Sequence, residues 1–322
     1  YLGSPDNPPL GIDSLHDLGS DATAINDNDE VAGYSVVDVA GGSVTHHAIV
    51  WTPQGGTVDL DSLSGGSDSV ANDVNDYGEV VGSFALPGHS SYAYSWTQWG
   101  GMDYFGMNYP ELPSDALAVN DNGQVVGDVT EEDGRANAFS WTPDSGMRDL
   151  GTLPGDTSSY AQGVNNDGEV VGVSGTPTST SAFAWTQSAG MVKLRPLPGD
   201  TGAAAVGVSD TGLVAGYSVG PDGTHAVVWS PSGTVESIGT LPGDLGGYAA
   251  SVNEWGEVVG DAYGPNGTQA FTWTQSGGSV PLSVAPGASS GFADAVNDWG
   301  GVAGYSIGSN NEGRAALWLT PW

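Results

Sequence analysis

One motif ends on tryptophan seven times at a nearly fixed interval. "AIVW" ends at Trp51, and its sister motifs end at Trp96, Trp141, Trp185, Trp229, Trp273 and Trp318. A second motif keeps the same phase. It reads "INDNDEVAG" from Ile25, "VNDYGEVVG" from Val74, "VNDNGQVVG" from Val119 and "VNNDGEVVG" from Val164. It continues as "VSDTGLVAG" from Val208, "VNEWGEVVG" from Val252 and "VNDWGGVAG" from Val296. A repeat of 20–50 residues restricts the chain to solenoids, arrays and propellers.

Each unit offers four short strands, as in "YAASVN", "EVVGDA", "AFTW" and "GTVESIGTL". The N-x-x-G between the first two is hairpin chemistry: Asn opens the turn and Gly takes the left-handed position. The first copy has Asp29 there, and Asp tolerates that conformation better than most residues. Four strands in about 44 residues make one propeller blade. The ends of the chain are offset. "GIDSLHDLGSDA" before the first copy resembles a fourth strand, and the last copy lacks one. The expected fold is therefore an all-β, seven-bladed β-propeller with four short antiparallel strands per blade. Residues near 12–18 would supply the outer strand of the last blade, which removes an exposed sheet edge. The expected organisation is an N-terminal extension over 1–11 and one propeller domain over 12–322.

The pattern "A…VN…GEVVG…HAFLW…M.DLGTLGG" resembles the HAF repeat of predicted extracellular proteins. It stands here as "HAIVW" from His47, "HAVVW" from His225, "AFSW" from Ala138 and "MRDLGTLPGD" from Met147. His precedes the Ala in only two copies, and "LPGD" stands where Leu-Gly-Gly is common in that family. The resemblance spans residues 12–319. It implies an extracellular or cell-surface location, and it carries no catalytic residues over.

Charge narrows the partners. Five Lys and Arg stand against 38 Asp and Glu, a net charge of −33. Nucleic acid is excluded as a partner, because phosphate binding needs clustered cations. Anionic membrane surfaces repel the chain, and no apolar run is long enough for membrane insertion. Aromatic and β-branched residues recur in register, which separates this chain from a disordered acidic one. A folded surface this acidic repels itself until salt screens it, so the sequence points to a halophilic, high-salt environment. The chain starts at Tyr1, which suggests a processed form. The absence of Cys removes disulfides, thiolate metal sites and Cys nucleophiles.

Most repeated residues read as structural. The Trp residues are expected to fill between blades, and the repeated Asn to hold the turn. Three features are left as candidate sites. The third position of the N-x-x-G turn reads Asn28, Tyr77, Asn122, Asp167, Thr211, Trp255 and Trp299. Tyr77, Trp255 and Trp299 are thus candidates for contact with a protein or glycan partner, against the alternative that each ring lies on a neighbouring blade. "LPGD" recurs with Asp156, Asp200 and Asp244, which could form an arc holding Ca²⁺ or simply make turns. "NGT" at Asn266 is a glycosylation sequon. The five His residues (His16, His46, His47, His89, His225) show no metal-ligand spacing. "SGGSDS" at 64–69 is a loop rather than a nucleophile elbow. The resulting expectation is a secreted or cell-surface, non-catalytic binding or structural module, for instance a part of a surface or filament assembly. A propeller hydrolase or lyase is the alternative, since so many carboxylates leave room for a catalytic pair.

Overall fold

The computed structural model describes residues 9–12, 18–39, 43–61, 68–86, 90–105, 112–308 and 312–319. Twenty-eight strands among them form seven four-stranded antiparallel sheets. The molecule is a seven-bladed β-propeller. Blade 1 is representative: Ser20–Ile25 pairs with Val31–Val39, which pairs with Ser43–Thr52, which pairs with Gly56–Asp59. Blades 2 to 6 repeat this order over residues 68–104, 114–151, 158–193, 202–237 and 246–281.

Blade 7 takes Ala288–Val296, Val302–Gly308 and Gly313–Trp318 from the C-terminal end. Its outer strand is Leu10–Gly11, paired with Leu317 and Ala316. The Ile12 amide adds a bond to the Ala315 carbonyl at 3.3 Å. Closure by the N-terminal segment thus occurs as expected. The described pairing begins at Leu10, slightly ahead of the expected segment, and residues 13–17 lie outside the described residues. Leu317 and Ala316 are buried, so an unpaired edge there would expose apolar surface.

Packing follows the repeat. Small residues of the inner strands, such as Ala22, Ala71, Ala116 and Ala161, are fully buried where blades converge. The third-strand Trp residues fill the space between blades. Trp229 and Trp318 are fully or almost fully buried, and their indole N–H groups donate to the carbonyls of Arg195 and Ser283. Trp273 packs with Val228, Ile238 and Leu241 of blade 5 and with Phe271 of its own blade. Burial of one such side chain stabilises by roughly 1.5–3 kcal/mol.

The repeated Asn does more than hold its turn. In blade 2 the Asn75 side-chain oxygen accepts the amides of Tyr77 and Glu79, at 3.1 and 2.9 Å. Its Nδ2 donates to the Asn120 carbonyl in blade 3 at 3.0 Å. The same amide-to-carbonyl bond runs from Asn26 to Asn75, Asn120 to Asn165, Asn165 to Ser209, Asn253 to Asn297, and Asn297 back to Asn26. Blade 5 departs, because Ser209 has no amide to donate and its hydroxyl meets Thr211 instead at 2.7 Å. Asp29 adopts the left-handed conformation (φ 58°) that Gly78, Gly123, Gly168, Gly212, Gly256 and Gly300 take in the other copies.

Asn75→Ala is expected to lower unfolding free energy by about 2–3 kcal/mol, because one buried and two part-buried hydrogen bonds are lost. Ser209→Asn should supply the missing interblade bond and add about 1 kcal/mol. Urea titration of both variants checks this, and an unaltered midpoint in Ser209→Asn would refute the account of the missing link.

Candidate functional site

The residue after each Asn builds a second ring around the axis. The Asp27 amide donates to Asp76, Asp76 to Asp121, Asp121 to Asn166 and Asn166 to Asp210. Asp210 donates to Glu254, Glu254 to Asp298, and Asp298 to Asp27. All seven links are made, at 2.5–2.9 Å. They line an axial cavity of about 230 Å³. Burial raises the Asp27 carboxyl to about 6 against the amide of Asp298, and the charges of Asp76, Asp298 and Asp121 push it the same way. Asp76 and Glu254 are raised for the same leading reason. Asn166 relieves the repulsion locally, donating to Asp121 and Asp210 at 3.1 and 3.0 Å. Sequence reading missed this ring, although acidic residues at the position after Asn were its visible signal.

The turn tips point outward on the same face. Tyr77 and Trp255 are each 80% exposed, and Trp299 is 56% exposed. Tyr77 and Trp255 thus keep most of their surface in solvent. Trp255 stands at a groove of about 760 Å³ between blades 5 and 6, with Trp273, Leu213, Val228, Glu236 and Gln275 among its lining. Trp99, which the sequence reading passed over, is 92% exposed in the turn between the third and fourth strands of blade 2. It was legible as the one aromatic in a turn where the sister copies carry small or polar residues.

The LPGD aspartates occupy separate blade boundaries. Asp156 accepts the Ser174 hydroxyl at 2.8 Å, and Ser174 accepts the Leu153 amide at 3.0 Å. Asp200 repeats this with Ser218 and Leu197, and also meets His225 Nδ1 at 3.0 Å. Burial raises the Asp200 carboxyl, and the Ser218 hydroxyl and His225 outweigh it, leaving the group below its ordinary value. Asp244 packs against Gly264, where no Cβ would fit. Each Asp therefore pins its loop to the next blade. Among the described residues, no group of three or more His, Asp or Glu is arranged to hold a metal ion. His46 meets Asp68, and His47 sits between Asp59 and Asp61, so the adjacent imidazoles have different partners. His16, His89 and residues 64–67 of the "SGGSDS" loop lie outside the described residues. Asn266 is exposed in the turn between the second and third strands of blade 6.

A further acidic cluster spans blades 6, 7 and 1. Asp261 accepts the Ala293 amide at 3.0 Å, and Tyr34 donates to Asp21 at 3.2 Å. Asp294 and Asp21 act on one another electrostatically, with Asp261 and Tyr305 close by. Burial dominates all three carboxyls: Asp21 is raised to about 6, Asp261 to about 7, and Asp294 well above the ordinary value. Asp128 reaches about 7 through burial and the charge of Asp115, which stands directly opposite on the paired strand.

No protein-family model and no curated protein matches the chain. Solved structures share the fold. Virginiamycin B lyase from Staphylococcus aureus is 13% identical, with a TM-score of 0.58 over 96% of this chain and 98% of that one. The β-propeller domain of the Trilobed protease from Pyrococcus furiosus is 10% identical, with a TM-score of 0.62 over 93% and 95%. Puromycin hydrolase is 14% identical, with a TM-score of 0.60 over 98% of this chain and 55% of that one. A lyase, a protease domain and a hydrolase on one scaffold show that the fold does not select a function.

The raised carboxyls set a pH dependence. Each folded-state pKa lies above the unfolded value of about 4, so the folded protein holds protons more tightly. Their stabilising contribution is complete below about pH 4 and is lost as pH rises through about 6 for Asp21, Asp27 and Asp73 and about 7 for Asp128 and Asp261. At constant salt, the denaturation midpoint should therefore fall between pH 5 and pH 8, and Asp261→Asn should flatten that fall. A midpoint that climbs across this range would contradict the assignment.

Proposed function

We propose that the chain is a non-catalytic binding module, secreted or displayed at a cell surface in a saline setting. It meets a protein or glycan partner through the face that carries the N-x-x-G turns. The observation that carries this reading is Trp255, 80% exposed beside a groove with a second tryptophan, Trp273, in its lining. Trp and Tyr dominate binding hot spots, and an exposed tryptophan at the rim of a groove is placed to meet a partner. Six sister turns form the same backbone, four of them without an aromatic tip, so the turn itself does not need the Trp. The net charge of −33 supports the saline setting, and the HAF-like pattern supports the exterior location.

A second reading, a polysaccharide hydrolase or lyase, draws on the Asp21, Asp261 and Asp294 cluster. Carboxyls whose pKa burial raises toward neutrality suit general acid chemistry. Glycan and peptide arrays probed in about 2 M salt separate the two, because screening there suppresses non-specific charge effects. The binding module is expected to be retained on at least one array without product release, and Trp255→Ala should weaken retention about tenfold. Retention unchanged by Trp255→Ala would sink the proposed face. Release of saccharide products, abolished by Asp294→Asn, would establish the enzyme instead.

A further inference from the structure

Two grooves of the same construction lie on the turn face, and they differ in charge. The groove between blades 3 and 4 has a volume of about 790 Å³. The one between blades 5 and 6 has about 760 Å³. Trp185, Thr186, Gln187 and Ser188 line the first, and Trp273, Thr274, Gln275 and Ser276 line the second. In the first, Arg148 lies over the Trp185 ring, with its guanidinium carbon 5.1 Å from the centroid. That is within cation–π range. Strand register identifies the counterpart of Arg148. Met147 pairs with Trp141, and Val235 pairs with Trp229, so Arg148 corresponds to Glu236. The turn tip changes in the same groove, from Asp167 to Trp255.

The first groove thus carries its own cation over its tryptophan and an acid at its rim. The second has a carboxylate at the cation's position, a second indole at the rim, and no Lys or Arg in its lining. We infer that the groove between blades 5 and 6 binds a cationic side chain of a partner protein, a guanidinium or an ammonium, held by Trp255, Trp273 and Glu236. The inference rests on the proposed binding face and names the chemistry that face recognises. The occupant is argued from charge complementarity: two aromatic faces and one carboxylate match a single organic cation. The chain itself displays the matching contact at Arg148 and Trp185. The other aromatic tips lack this combination. By the same register, the position equivalent to Glu236 is Val58 beside Tyr77 and Val280 beside Trp299.

The test uses N-acetyl-L-arginine methylamide as probe, with the neutral citrulline analogue as control. Both are titrated into the full chain in about 2 M sodium chloride, where charges more than about 3 Å apart are screened. The readout is the indole N–H resonances of Trp255 and Trp273. The arginine probe is expected to shift both and the citrulline analogue neither. Trp255→Ala and Glu236→Gln should each weaken binding about tenfold, the loss of one such contact. Glu236→Arg, which rebuilds the sister groove, should abolish it. Both substituted positions, Trp255 and Glu236, are exposed, so folding is checked simply by circular dichroism. Equal binding of the citrulline analogue, unmoved indoles, or undiminished binding in Glu236→Arg would overturn the inference. If the indoles stay unmoved while Trp255→Ala still releases the chain from an array, the cation site falls and the binding module stands. If the probe binds while both arrays fail, the site stands and the wider module reading falls.

Discussion

The whole ring hangs on one side-chain amide used in two directions. The oxygen of Asn75 closes its own hairpin, and its nitrogen holds the backbone of the next blade. A hydrogen bond confined to one turn would stabilise a blade but leave blades free to slide. A bond from turn to turn fixes the angular step between blades as well. Repetition then does the rest, because each blade repeats nearly the same geometry. The closing contact is made by the same chemistry: Asn297 reaches Asn26, and the Asp298 amide reaches Asp27, across 271 residues of chain. Joining such distant segments costs loop entropy that grows only slowly with length. Two polar links and the Leu10–Gly11 strand all meet at that junction, which offsets the cost locally.

The second ring shows how an acidic chain places its charges. Each carboxylate around the axis accepts a backbone amide of the neighbouring turn, in most links a part-buried one. An unpaired amide there would cost about 1–3 kcal/mol. The same residues repel one another, and burial raises the protonation constants of Asp27, Asp76 and Glu254. Ser and Thr at these positions would avoid the repulsion but offer a weaker acceptor. Asn166 shows the compromise within one molecule, since its amide bonds two neighbouring carboxylates and carries no charge. The axial acids are therefore part of the scaffold, and the net charge of −33 is not merely a surface property.

The fold was legible because its determinants recur with the blade. A Trp every 44 or 45 residues and an N-x-x-G turn in phase leave little room for another architecture. The offset ends predicted closure by the N-terminal segment, and Leu10–Gly11 provides it. The sites were less legible, for two physical reasons. Contacts between blades join residues about 44 positions apart, so the carboxylate ring and the grooves do not show as local motifs. Abundance also hid the acids that matter. Asp21, Asp261 and Asp294 look like any other Asp in the chain until the first strands of blades 1 and 7 and the second strand of blade 6 bring them together. The LPGD motif is conspicuous for a reason that belongs to the fold. Its Asp156 and Asp200 spend their oxygens on Ser174 and Ser218.

Repetition supplies an internal control that single-copy folds lack. Where seven copies agree, the residue answers to the backbone or to the neighbouring blade. Where one copy departs without altering the backbone, the departure needs another cause. Ser209 departs and loses an interblade bond, so its copy is weaker for a reason internal to the fold. Trp255 departs while its turn keeps the same bonds: its amide still donates to Asn253, and Gly256 keeps its left-handed conformation. Glu236 stands at a position that varies among the copies (Val58, Asp103, Arg148, Val192 and Val280 elsewhere), within an intact strand pairing. Two variable positions that meet in one groove as an indole and a carboxylate, each leaving the scaffold untouched, are what a site grafted onto a repeat looks like. The sister groove then defines the chemistry, because Arg148 already shows which group that floor accepts.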